Sequence, residues 1–156
     1  YSDYQCPFCS RFHPTVQQVL KEYGDKVAWV YRHFPLDQLH PKARPTAIAS
    51  ECVASLGGED AFWKFTDEIF ADQQTALNDL VPVAAKAGVN ESAFKFCVDS
   101  KKFDALVEEV YQGGSGAGIT GTPGNFIISK KGDAWLIPGA LPYESIKATI
   151  DEALKS

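Results

Sequence analysis

The sequence contains no methionine, no internal repeat and no low-complexity tract. No apolar run approaches the roughly 18 residues that a membrane-crossing helix requires. Its three histidines, His13, His33 and His40, are isolated from one another, and there is no second close cysteine pair. A zinc site usually needs four ligands in two close pairs, so these absences argue against a metal centre. Neither sign of charge dominates: 15 Lys and Arg face 20 Asp and Glu, interspersed along the chain, for a net charge of −5. That balance argues against nucleic acid or an anionic membrane as the main partner. The chain opens abruptly at Tyr1 and its natural N-terminus is expected to lie upstream, so a signal peptide is neither visible nor excluded.

What is present is the composition of a globular protein, 156 residues with 45% hydrophobic and 22% charged side chains, enough for one sizeable core. Residues 7–23 carry apolar side chains at helical spacing and stop at Gly24. Residues 26–34, KVAWVYRHF, are β-branched and aromatic and read as a strand stopped by Pro35. A helical block follows, with helices expected over 40–56, 59–74, 77–87 and, as one or two pieces, 90–112. The glycines of GGSGAG, 113–118, then read as a flexible connector. Short strands over 126–129 and 134–137 flank the turn signal KKGD, and an amphipathic helix is expected over 141–154. Without the helical block the order is α-β-β-β-α, a small sheet with helices packed on it.

The chemistry is concentrated in YSDYQCPFCSRFH. Cys6 falls at the N-cap of the first helix with Pro7 in the first helical position, where its missing N–H costs nothing. A sulfur there faces unpaired backbone N–H groups and the positive end of the helix dipole, both of which favour thiolate. Cys9 lies one turn on and can close a small disulfide ring with Cys6. A structural staple is a poor alternative, because so short a loop removes little entropy from the unfolded chain. The pair reads as redox-active. Downstream, Thr122-Pro123 enters a strand, where a proline cannot donate to a ladder. X-Pro bonds are also where cis peptides occur, so a cis Pro123 beside the cysteines is expected.

These segments, with YRHFPL, HPKARPTAIASEC, FWKFTDEIFADQ, GITGTP and PGALPYESIKATIDEAL, resemble in order the DsbA-like branch of the thioredoxin superfamily. The resemblance implies a thioredoxin fold, a central mixed sheet flanked by helices, with an all-helical insertion. The fold domain would comprise residues 1–34 and 119–156 and the insertion 35–118, with the first strand missing ahead of SDYQ. It implies Cys6 as the exposed reactive thiol, Cys9 as its buried partner, and Pro7, Phe8, Gly121, Thr122 and Pro123 as the substrate-binding surround. Asp3, the nearest acid, reads as a loop or cap residue. Gly124-Asn125 departs from the usual apolar continuation after the proline, and Phe8 stands where the most oxidising members have histidine.

Cys52 and Cys97 both lie on apolar faces of the helical block, and either two buried free thiols or one bond fits them. Since some family members carry a second pair in this insertion, a structural disulfide is the preferred expectation. The resemblance further implies an extracytoplasmic, bacterial, monomeric oxidase of reduced proteins, with no cofactor or metal. A DsbB-like or vitamin-K-epoxide-reductase-like (VKOR-like) membrane protein would reoxidise it. A reductase or isomerase of the same fold, and a non-catalytic module with a structural disulfide, are the rival readings.

Overall fold

Pro7 opens helix α1 (Pro7–Tyr23) and Gly24 closes it at φ 53°, a left-handed conformation that favours glycine. The structure, a computed structural model, describes residues 1–156. A single 3₁₀ turn (Gly24–Lys26) and an extended segment lead to α2 (Ala43–Ala71). Then come α3 (Gln73–Ala76), α4 (Leu80–Lys86), α5 (Glu91–Asp99) and α6 (Asp104–Gly116). Strands β1 (Gly124–Ile128) and β2 (Ala134–Pro138) form an antiparallel hairpin, and α7 (Tyr143–Ala153) ends the chain. Side-chain caps start three of the short helices: Asp72, Asp79 and Asn90 accept from the backbone N–H groups of Thr75, Val81 and Ala93.

Within α2, Gly58 leaves helical geometry at φ 79° and ψ −172°, so the chain forms two successive helices there, as expected over 40–56 and 59–74. Other stretches differ from the sequence expectation. The glycines from 113 do not form a flexible connector, since α6 continues to Gly116. Gly114 explains this: a Cβ there would come within 2.7 Å of the Tyr1 ring and 2.8 Å of Phe34. Here glycine makes a packing surface, and the chain turns only at Gly118. The segment 27–34 is extended but pairs with Ser2 alone, in a parallel bridge at His33. The Ser2 N–H donates to the Arg32 carbonyl and the Phe34 N–H to the Ser2 carbonyl, each at 2.8 Å.

Tyr1 and Gly124 exchange hydrogen bonds in both directions, at 2.6 and 2.9 Å. The sheet is thus the β1–β2 hairpin continued through Tyr1 and Ser2 towards His33, small and mixed in strand direction. Strand β1 begins at Gly124, two residues earlier than expected. Its backbone pairs with Tyr1, and a Cβ at this position would lie 2.7 Å from Ile119.

Two apolar clusters hold these elements together. The larger packs Tyr4, Cys6 and Cys9 against the helical block, including Cys52, Val53, Phe65, Ile69 and Val107. The smaller joins Phe12 and Val19 of α1 to Ile137 of β2 and to Ile146 and Ile150 of α7. Helix α1 therefore serves both, with Cys9 facing one cluster and Phe12 the other. This seats its N-terminus at the junction of sheet and helical block.

Candidate active site

Cys6 takes the N-cap of α1 with an extended backbone, φ −71° and ψ 122°, and its carbonyl accepts from Cys9 and Ser10 N–H at 3.1 and 3.2 Å. Across from it the Thr122–Pro123 peptide is cis, and the Thr122 carbonyl accepts from the Cys6 thiol at 3.5 Å. Pro123 is buried and lines a small cavity of about 20 Å³, room for one water, together with Cys9, His13, Tyr31 and Phe70. The structure thus brings Cys6, Cys9, Thr122 and Pro123 together. Pro7 and Gly121 lie exposed at the margin, and Phe8 is 52% exposed with the Arg11 guanidinium 4.5 Å above its ring.

The two thiols are free, and their surroundings push them apart electrostatically. A hydrogen bond from the Cys9 thiol is the leading cause that brings the Cys6 pKa from 9.0 down to about 5, against an opposing cost of burial. The Thr122 hydroxyl, buried beside it and otherwise unpaired in the reduced pair, and the backbone N–H groups of Cys9 and Phe8 lower it further as they turn to the thiolate. Cys9 moves the other way: burial pushes its thiol up, and donating to Cys6 holds its proton in place. At neutral pH the pair carries one thiolate, on Cys6, and one thiol, on Cys9.

Cys6 is not the exposed thiol of the sequence expectation. It is 3% exposed and Cys9 is 2% exposed. The helical block and the 122–123 loop close over it. The Gln73 amide, at the start of α3, donates to the carbonyls of Tyr4 and Cys6 at 2.8 and 3.0 Å, and the Thr122 carbonyl covers the sulfur. Ser10 adds a hydroxyl bond to the Phe70 carbonyl at 2.8 Å.

Residues outside the motif also shape the site. Asp3 is 1% exposed, and its carboxylate accepts from Gln5 N–H, Cys6 N–H and Leu36 N–H, at 2.7, 3.1 and 2.9 Å. His40 Nδ1 lies 2.8 Å from the same group. The sequence signal was an Asp three residues before a helix N-cap, a spacing that places a carboxylate on free N–H groups. Its partners at Leu36 and His40 come from the insertion and carry no signal. No cluster of three or more His, Cys, Asp or Glu is arranged to hold a metal ion; His13, His33 and His40 each face one carboxylate, of Asp67, Glu51 and Asp3. Cys52 and Cys97 sit apart from this site, joined in a disulfide that ties α2 to α5 with Cα atoms 5.8 Å apart.

A family model described as Thioredoxin matches residues 1–152. The chain belongs to the thioredoxin family. Within it the fold is DsbA-like. Pseudomonas aeruginosa DsbA2 superposes with a TM-score of 0.84 at 26% identity, covering 100% of this chain and 87% of that one. Wolbachia pipientis alpha-DsbA1 gives 0.80 at 25% identity, covering 99% and 83%. Among curated proteins, this thioredoxin-family chain is similar to one part of several Na(+)/H(+) antiporters. One is the Na(+)/H(+) antiporter NhaA 1 of Mycolicibacterium gilvum, 34% identical over 84% of this chain and 21% of that protein. Another is NhaA 1 of Salinispora arenicola, 25% identical over 98% of this chain and 22% of that one. The chain spans about a fifth of the length of these curated relatives.

Proposed function

We infer that this protein oxidises thiols of extracytoplasmic proteins through the Cys6–Cys9 pair. The observation that carries the reading is the split environment of the two sulfurs. Cys6 is held as thiolate at a helix N-terminus while Cys9, three residues on, is held as thiol. A stabilised thiolate is a good leaving group, so a disulfide that contains it gives up its bond readily to an incoming thiol. A substrate thiolate attacks Cys6 Sγ, a mixed disulfide forms, and Cys9 leaves as thiolate. The second substrate thiolate then attacks its own sulfur in the mixed disulfide, and Cys6 departs with the electron pair. The substrate is oxidised to a disulfide and the enzyme reduced to a dithiol.

In this reading residues 1–34 and 119–156 form the thioredoxin-fold domain and 35–118 the insertion. Pro7, Phe8, Gly121, Thr122 and Pro123 border the path of the substrate chain. In the disulfide Cys6 has no S–H to donate to the Thr122 carbonyl that covers it. The incoming sulfur reaches Cys6 as this carbonyl moves aside, and the Thr122 backbone then pairs with the extended substrate. The dithiol returns to disulfide by exchange with a membrane oxidase of the DsbB-like or VKOR-like kind. No helix of the chain is itself long and apolar enough to cross a membrane. Phe8 in place of histidine leaves the thiolate without an extra donor, so the potential is expected between about −270 mV and about −120 mV. Equilibration with glutathione, scored by the fraction of Cys6–Cys9 disulfide, tests this. A potential at or below that of thioredoxin would turn the reading to a reductase.

A further inference from the structure

The carboxylate of Asp3 gathers donors from three parts of the chain: Gln5 and Cys6 at the approach to α1, Leu36, and His40. Its side chain has no exposed surface, so these bonds fix the residue rigidly. The backbone N–H of the same residue points at the buried sulfur and donates to Cys9 Sγ at 3.5 Å. The Asp3 carbonyl completes the arrangement by accepting from Cys6 N–H at 3.1 Å. One residue thus has its side chain clamped by the insertion loop and its amide aimed at the leaving-group sulfur.

We propose that Asp3, clamped by Leu36 and His40, is a positioning residue that holds its own backbone N–H on Cys9 to stabilise the thiolate expelled from the Cys6–Cys9 disulfide. The proposal rests on the redox reading of that pair. When an incoming thiolate bonds to Cys6 Sγ, the Cys6–Cys9 bond breaks and its electron pair passes to Cys9 Sγ. That sulfur is buried, so a hydrogen bond to the anion replaces water that cannot reach it. The same contact serves the reverse step, in which Cys9 thiolate attacks Cys6 Sγ and releases the bound thiol.

Asp3→Asn separates the clamp from mere packing. It keeps the size of the side chain but puts an amide N–H₂ in the place of one carboxylate oxygen, facing either Leu36 N–H or the N–H groups of Gln5 and Cys6, donor against donor, and so weakens the clamp. The test uses the protein trapped as a Cys6–glutathione mixed disulfide and follows glutathione release against pH. Release is expected to be about tenfold slower at neutral pH in Asp3→Asn, with the pH profile displaced upward by about one unit. His40→Ala removes one of the four bonds from a partly exposed position and is expected to give about a threefold slowing in the same direction. It carries the test if Asp3→Asn does not fold. Unchanged profiles in the variants, with normal release from the parent, would overturn the assignment even if their melting temperatures fall. No glutathione release from the parent at any pH would instead overturn the redox reading and this assignment with it.

Discussion

Two cysteine pairs of one chain meet opposite fates. Cys52 and Cys97 are bonded, each on a helix flank inside the larger core, where α2 and α5 bring their Cα atoms to 5.8 Å. Cys6 and Cys9 stand as free thiols in the same core, but at the open end of a helix beneath the Thr122–Pro123 loop. Burial alone does not separate them, because all four are under a tenth exposed. The difference lies in what faces each sulfur. Cys52 and Cys97 have apolar neighbours and each other. Cys6 has N–H groups and a hydroxyl that lower its pKa to about 5. Electrostatic asymmetry at a helix terminus makes a disulfide exchangeable; a symmetrical apolar setting makes it a brace.

The largest expected effect breaks that comparison on its catalytic side. Cys6→Ser should abolish oxidation of a reduced substrate protein, while the double variant Cys52→Ser/Cys97→Ser should retain it. Thiol loss assayed with each purified variant decides the matter. On the structural side, the double variant should unfold at lower urea concentration, by about 3–4 kcal/mol in the chain-entropy account of a loop this long. Non-reducing peptide mapping should recover the Cys52–Cys97 fragment from the parent.

A third expectation concerns pH. An acid whose pKa falls on folding contributes stability that is complete above its unfolded value and disappears as pH drops through the folded one. For the Cys6 thiol these limits are 9.0 and about 5. The reduced protein should therefore gain stability from pH 5 towards 9 relative to Cys6→Ser, and the disulfide form should lack this dependence. Urea titrations of both redox forms at several pH values check the sign. Smallest of the set, Thr122→Val deletes one of the groups that stabilise the thiolate and should raise the Cys6 pKa by about one unit. Its midpoint of alkylation against pH reads the shift directly.

Much of this was legible in the sequence. Helical spacing, Pro7 and Gly24 locate α1 to the residue, and with it the N-cap position of Cys6. The hairpin and the last helix follow from turn chemistry and amphipathic spacing, with ends one or two residues off. What escaped depends on contacts between distant segments. Glycines 113–118 have the composition of a linker, and only the rings of Tyr1 and Phe34 show why Gly114 belongs in a helix. Residues 27–34 have the alternation of a strand but find one bridging partner. At the site, Cys6, Cys9 and the Thr122–Pro123 dipeptide were visible as motifs. The covering of Cys6 by Gln73 and the Thr122 carbonyl was not, nor was the binding of Leu36 and His40 to Asp3, because each joins residues more than 30 positions apart.

The central claim is the split between Cys6 and Cys9, and alkylation of the fully reduced active-site pair by iodoacetamide as a function of pH tests it most directly. The Cys52–Cys97 bond is left intact and the labelled residue is identified by mapping. The account predicts label on Cys6 alone, with a half-maximal rate near pH 5. A midpoint at pH 8 or above, the range of an ordinary thiol at about 8.5, or equal labelling of Cys9, would contradict it.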